Sequence, residues 1–63
     1  MNYLIEFEKS VQKCWVDLSI DGDPGRTTIK ENATVFETLN LANECAKNLE
    51  TKYRRKLNVV SAD

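Results

Sequence analysis

The chain has no histidine, one proline, two glycines and two cysteines among its 63 residues, and no apolar run long enough to cross a bilayer. Each scarcity removes a class of function. Without histidine there is no side chain whose ordinary pKa suits it to proton transfer near neutral pH, and none to activate a cysteine or serine nucleophile. Cys14 and Cys45 lie 31 positions apart with no C-x-x-C spacing, so they complete neither a zinc site nor a redox pair. Both are expected to be reduced and to behave as small hydrophobes. Asp21 and Asp23 flank a glycine, but the twelve-residue calcium loop that ends in glutamate is missing. Both glycines sit in the stretch "DGDPG", a turn that does not open a helix, which excludes a phosphate-cradling loop. These absences predict no catalytic, metal or cofactor-binding residues, and a protein that is not an enzyme. Nine basic against ten acidic side chains leave a net charge of −1, so no global field draws the chain to nucleic acid or anionic lipid. The N-terminus lacks the basic-then-apolar organisation of a signal peptide, and the expectation is a cytoplasmic protein.

What is present is patterned. The length predicts a single domain over residues 1–63, too small for a deep cavity. "NYLIEFEK" places Tyr3, Ile5 and Phe7 on one face and Leu4, Glu6 and Glu8 on the other, the period of a half-buried strand. "KCWVDLSI" does the same with Cys14, Val16, Leu18 and Ile20 inward, so the two are expected to form a hairpin. A short third strand over "RTTIK", with Thr27 and Ile29 inward, follows the turn. Then the period changes. Thr34 and Glu37 have capping-box spacing, and Val35, Leu39, Ala42, Ala46, Leu49 and Tyr53 form one helical stripe with Cys45 on its flank. Lys52, Arg54, Arg55 and Lys56 are read as complements to the carbonyl end of that helix. The expected fold is α+β: a three-stranded antiparallel sheet in β-β-β-α order with one long helix across a face. The tail "LNVVSAD" is expected to add a short edge strand.

The outer sheet face would then carry Leu4, Glu6, Glu8, Lys13, Trp15, Asp17, Arg26, Thr28 and Lys30. Trp15, the one tryptophan, is thereby expected in solvent, where a rigid apolar side chain makes a binding anchor. Its competing role is to cover Leu4 and the stem of a lysine. Phe36 and Leu41 leave the helical stripe on different sides. The candidate partner-binding residues are therefore Trp15, Leu4, Lys13, Arg26, Lys30, Phe36 and Leu41. A helix running from residue 34 to 56 would overhang the sheet, and with Leu41 this predicts a homodimer.

A tryptophan on the middle strand, an Asp-Gly turn, a threonine-rich third strand and a covering helix resemble the arm-type DNA-binding domains of tyrosine integrases and the plant ethylene-response DNA-binding domains, over residues 2 to about 53. That likeness implies that the outer sheet face enters the major groove, with Lys13, Trp15, Arg26 and Lys30 as readers. Glu6, Glu8 and Asp17 share the face and would oppose phosphates. In size and near-neutral charge the chain, read as complete, is similar to the small accessory proteins of phages and other mobile elements, anti-CRISPR proteins among them. This likeness implies a non-enzymatic protein-binding module that inhibits a host enzyme or defence complex stoichiometrically, with DNA binding as the alternative.

Overall fold

A computed structural model describes residues 1–62. The chain runs β1 (Tyr3–Phe7), β2 (Trp15–Val16), β3 (Arg26–Thr27), a single 3-10 turn (Lys30–Asn32), α1 (Leu39–Tyr53) and β4 (Leu57–Ser61). The class is α+β as the patterning implies, but the sheet has four strands, in the order β3-β2-β1-β4. The tail is an integral strand. It pairs antiparallel with all of β1, from Tyr3 opposite Ser61 to Phe7 opposite Leu57, and so makes β1 a central strand. Among the described residues no helix is long and apolar enough to cross a membrane.

The predicted eight-residue second strand is cut to two. Past Val16 the chain turns: the Asp17 carboxylate accepts from the backbone N–H and the hydroxyl of Ser19, and the Asp17 N–H donates to the Gly25 carbonyl at 2.9 Å. Short polar side chains offer the backbone such local alternatives to a ladder. A Cβ on Gly25 would lie 2.6 Å from the Ile20 carbonyl oxygen, so this closure needs glycine. Leu18 and Ile20, expected in the core, are about half exposed in the turn.

Residues 33–36 take the vacated place beside β1. The Thr34 N–H donates to the Val16 carbonyl, and Phe36 exchanges both backbone bonds with Tyr3 at 2.8 Å. Thr34 therefore does not open the helix; its hydroxyl accepts from the Leu18 N–H. The N-cap falls instead on Thr38, whose side chain accepts from the Leu41 N–H at 3.2 Å. Val35 and Leu39, two members of the expected stripe, are exposed as a result. The helix spans about 22 Å at 1.5 Å per residue, inside the 26 Å longest extent of the molecule. It is eight residues shorter than the helix over residues 34–56 whose overhang was invoked for a homodimer.

Two clusters, one on each sheet face, make up the core. Ile5, Phe7, Cys14, Val16 and Leu57 meet Ala46 of α1, with Phe36, Cys45, Leu49 and Val59 at the margin. Ala42 and Ala46 are the buried helix residues, and their small side chains let the helix lie close to the strands. On the opposite face, Leu4, Trp15 and Ala33 pack together with Val60 and Ala62. Trp15 is only 9% exposed, which corrects its expected place in solvent. The segment after the 3-10 turn and the tail cover it.

Burial on both faces assigns the costs of truncation. Trp15→Ala is expected to destabilise the fold by about 3–5 kcal/mol, whereas Leu39→Ala, at a half-exposed site, should cost well under about 2 kcal/mol. Urea unfolding midpoints of the two variants check the ordering; equal midpoints would place the tryptophan outside the core.

Candidate functional site

Three chain reversals end at one corner of the sheet. The Phe7 N–H donates to the Cys14 carbonyl and the Glu8 N–H to the Lys56 carbonyl, both at 3.0 Å, which ties the β1–β2 connection to the turn between α1 and β4. The DGDPG loop joins them: Arg55 Nε donates to the Asp23 carbonyl at 3.1 Å. Between these segments lies a basin of about 240 Å³ lined by Phe7, Lys9, Ser10, Arg26, Arg54, Arg55 and Lys56. Among the described residues its lining has five cations and no carboxylate.

The arrangement leaves those charges available. Among the described residues the one ion pair is Lys13 with Glu6, at 3.7 Å and away from the basin. The Arg26 guanidinium lies over the Phe7 ring, 4.4 Å from its centroid. A guanidinium covered on its face by an aromatic ring keeps its in-plane N–H donors for a carboxylate or phosphate. Arg26 reaches Phe7 because it stands opposite Val16, on the helix side of the sheet. The sequence placed it on the outer face; the register puts Thr27, not Arg26, opposite Trp15.

Arg54 carries a further signal. It is the helix C-cap, in left-handed conformation at φ 55°, ψ 45°, and its N–H donates to the Glu50 carbonyl at 2.8 Å. It is the one non-glycine residue at positive φ among those described. Glycine takes that position with no steric cost. Glu50 holds the turn further, its carboxylate accepting from the Leu57 N–H at 3.1 Å. A long basic side chain thus stands where backbone geometry favours glycine.

The other predicted contact residues scatter. Leu4 and Trp15 are core. Lys13 is exposed and pairs with Glu6. Lys30 opens the 3-10 turn and, with Leu4, Glu31, Val35 and Ala62, lines a shallow hollow on the covered face. Lys13, Trp15, Arg26 and Lys30 therefore do not share one exposed sheet face. Phe36 and Leu41, placed by sequence on different sides of a helix, come together with Glu44, Cys45 and Asn48 around a shallow depression, because Phe36 is extended chain rather than helix. Burial pushes the Cys45 thiol up, so it is the less nucleophilic for it. Among the described residues no group of three or more acidic, cysteine or histidine side chains could hold a metal ion.

Sequence reasoning missed Lys9, Arg54, Arg55 and Lys56 as a site. The signal was the run "KYRRK" immediately before a strand. Only the antiparallel pairing of that strand with β1 sets Lys56 beside Glu8 and Lys9. No family model matches the chain, and no curated protein or solved structure resembles it closely enough to lend it a family.

The strain at Arg54 is measurable. Arg54→Gly is expected to raise unfolding stability by about 0.5–1 kcal/mol, by relieving the left-handed cap. Chemical denaturation checks this, and a loss of stability would mean that the arginine side chain contributes more to the fold than its conformation costs.

Proposed function

We propose that the chain is a non-enzymatic protein-binding module that acts stoichiometrically by covering an acidic surface of its partner. Stoichiometric occlusion is the mode of action that the resemblance to small accessory proteins of mobile elements implies, and the acidic surface is read from the charges of this chain. The observation that carries the reading is the basin: five of the nine cations of the chain gather with no carboxylate partner among the described residues. Four cations then stand against ten acidic side chains over the rest of the sequence. So uneven a distribution makes one corner attractive to anions in a chain whose net charge is −1. The complementary charges of a partner would set its orientation and speed its encounter.

The alternative, nucleic-acid binding, fares less well on the same geometry. Duplex DNA presents a charge about every 1.7 Å of its axis and so reaches well beyond a small basin. Glu8 adjoins Lys9, and Asp21 and Asp23 lie in the loop that holds Arg55. An extended polyanion would run over these carboxylates, whereas a compact acidic group on a protein would not.

The reading is tested by calorimetric titration with a five-residue peptide carrying three consecutive glutamates and, separately, with a twelve-base-pair duplex. The peptide is expected to bind, and Arg55→Glu with Lys56→Glu to weaken it at least tenfold, about 1.4 kcal/mol. Exchanging Lys13 and Lys47 for glutamate, the same change in net charge outside the basin, should alter the affinity less than twofold. Tighter binding of the duplex than of the peptide, or equal losses from the two double variants, would overturn the reading.

A further inference from the structure

We infer that the basin recognises a phosphate monoester presented by a phosphorylated side chain of the partner protein. The inference rests on the protein-binding reading above and specifies the group that the basin takes. Five cations drawn from three chain segments share about 240 Å³, and among the described residues no side-chain carboxylate lines the basin with them. A single carboxylate would leave most of that repulsion in place. A phosphate monoester brings a charge of about −1.5 to −2 and three strong acceptor oxygens on one centre, which suits converging donors.

The donors are of the right kind. Arg26 is oriented by its stack on Phe7 at 4.4 Å, and Arg55 is anchored by the 3.1 Å bond from its Nε to the Asp23 carbonyl, which leaves its terminal nitrogens for a ligand. Two guanidinium groups fixed in this way are suited to the forked geometry of a phosphate. Lys9 and Lys56 add point charges from the two turns that the Glu8 to Lys56 backbone bond holds together. Arg54 occupies a position whose backbone conformation favours glycine, as expected where a charge at that point matters more than local ease. Strained backbone persists where the surrounding structure enforces it, and it gathers at ligand clamps. The size of the basin also limits the ligand. At about 240 Å³ it has room for one phosphate with its linking carbon.

The test uses the full chain and four probes at low ionic strength, read by amide chemical shifts and calorimetry: a five-residue peptide with one central phosphoserine, its unphosphorylated form, the three-glutamate peptide, and inorganic phosphate. The phosphopeptide is expected to bind at least tenfold tighter than the three-glutamate peptide despite its smaller charge, with shifts at residues 7–10, 26 and 54–56. Arg26→Lys keeps the charge but loses the stacked fork, and should weaken the phosphopeptide at least fivefold while changing the glutamate peptide less than twofold. Thermal melts of Arg26→Lys establish that it folds. Lowering the pH from 7.5 to 5 should weaken the phosphopeptide selectively, as its phosphate takes up a second proton near pH 6. The titratable and charged groups that line the basin are Lys9, Arg26, Arg54, Arg55 and Lys56, Glu8 is next to Lys9 in the chain, and the chain has no histidine.

If the three-glutamate peptide binds as tightly as the phosphopeptide, the phosphate inference is overturned and the acidic-partner reading stands. If neither binds, both fall. If inorganic phosphate binds as tightly as the phosphopeptide, the source is a free phosphate and the partner-presented group is overturned.

Discussion

The structure depends on β1 having no solvent face. Leu4 and Ile5 are adjacent in sequence, point to opposite sides of the sheet and are both essentially fully buried. Antiparallel sheets in small domains commonly leave one face to water. Here both faces must be covered by a chain of 63 residues. One helix covers the first. The second is closed by Ala33 and Ala62 against Leu4 and Trp15, with Val60 beside Leu4 in the sheet. Trp15 supplies the bulk that this thin second layer would otherwise lack, since the segments outside the strands contribute only the alanines Ala33 and Ala62 to the cluster.

Central placement of β1 also fixes what happens at its ends. β4 lies along one edge, and the other is shared by β2 and by the extended residues around Phe36. The segment that leaves β2 is therefore free to turn at Asp17, and the helix cannot begin until Phe36 has paired. At the opposite end the pairing of Phe7 with Leu57 brings the α1–β4 turn against the β1–β2 connection. The cations of both turns converge because the strands are aligned. Their clustering follows from register rather than from any local sequence motif.

Legibility in the sequence followed the range of the interactions. The hairpin of β1 and β2, a helix in the second half of the chain and the turn at Gly25 rest on periodicity or on local turn chemistry, and each is present, though the helix expected over residues 34–56 is confined to Leu39–Tyr53. Thr34 and Glu37 had capping-box spacing, yet the Thr34 hydroxyl is taken by the Leu18 N–H, a partner sixteen positions away. Leu18 and Ile20 continued the alternation of β2, but Asp17 and Ser19 ended the strand before them. The orientation of Trp15 toward the face away from the helix was readable from its period. Its burial was not, because the cover comes from residues near 33 and 60, remote in the chain. The same limit hid the basin, whose seven lining residues come from three separate stretches.

The basin and the hydrophobic layers place opposed demands on a chain this short. Each cation set at the corner is a residue withheld from the core, and like charges in one basin repel in the folded state more than in the unfolded one. The fold offsets this locally: the helix C-terminus presents unpaired carbonyls and a partial negative charge to Arg54, Arg55 and Lys56, and Phe7 presents its ring face to Arg26. Neither is a full negative charge. Among the described residues no carboxylate lines the corner, and an anion bound there would relieve repulsion that folding alone leaves in place. A ligand held in this way stabilises the chain as well as being recognised by it, since whatever binds the native state and not the unfolded chain shifts the folding equilibrium.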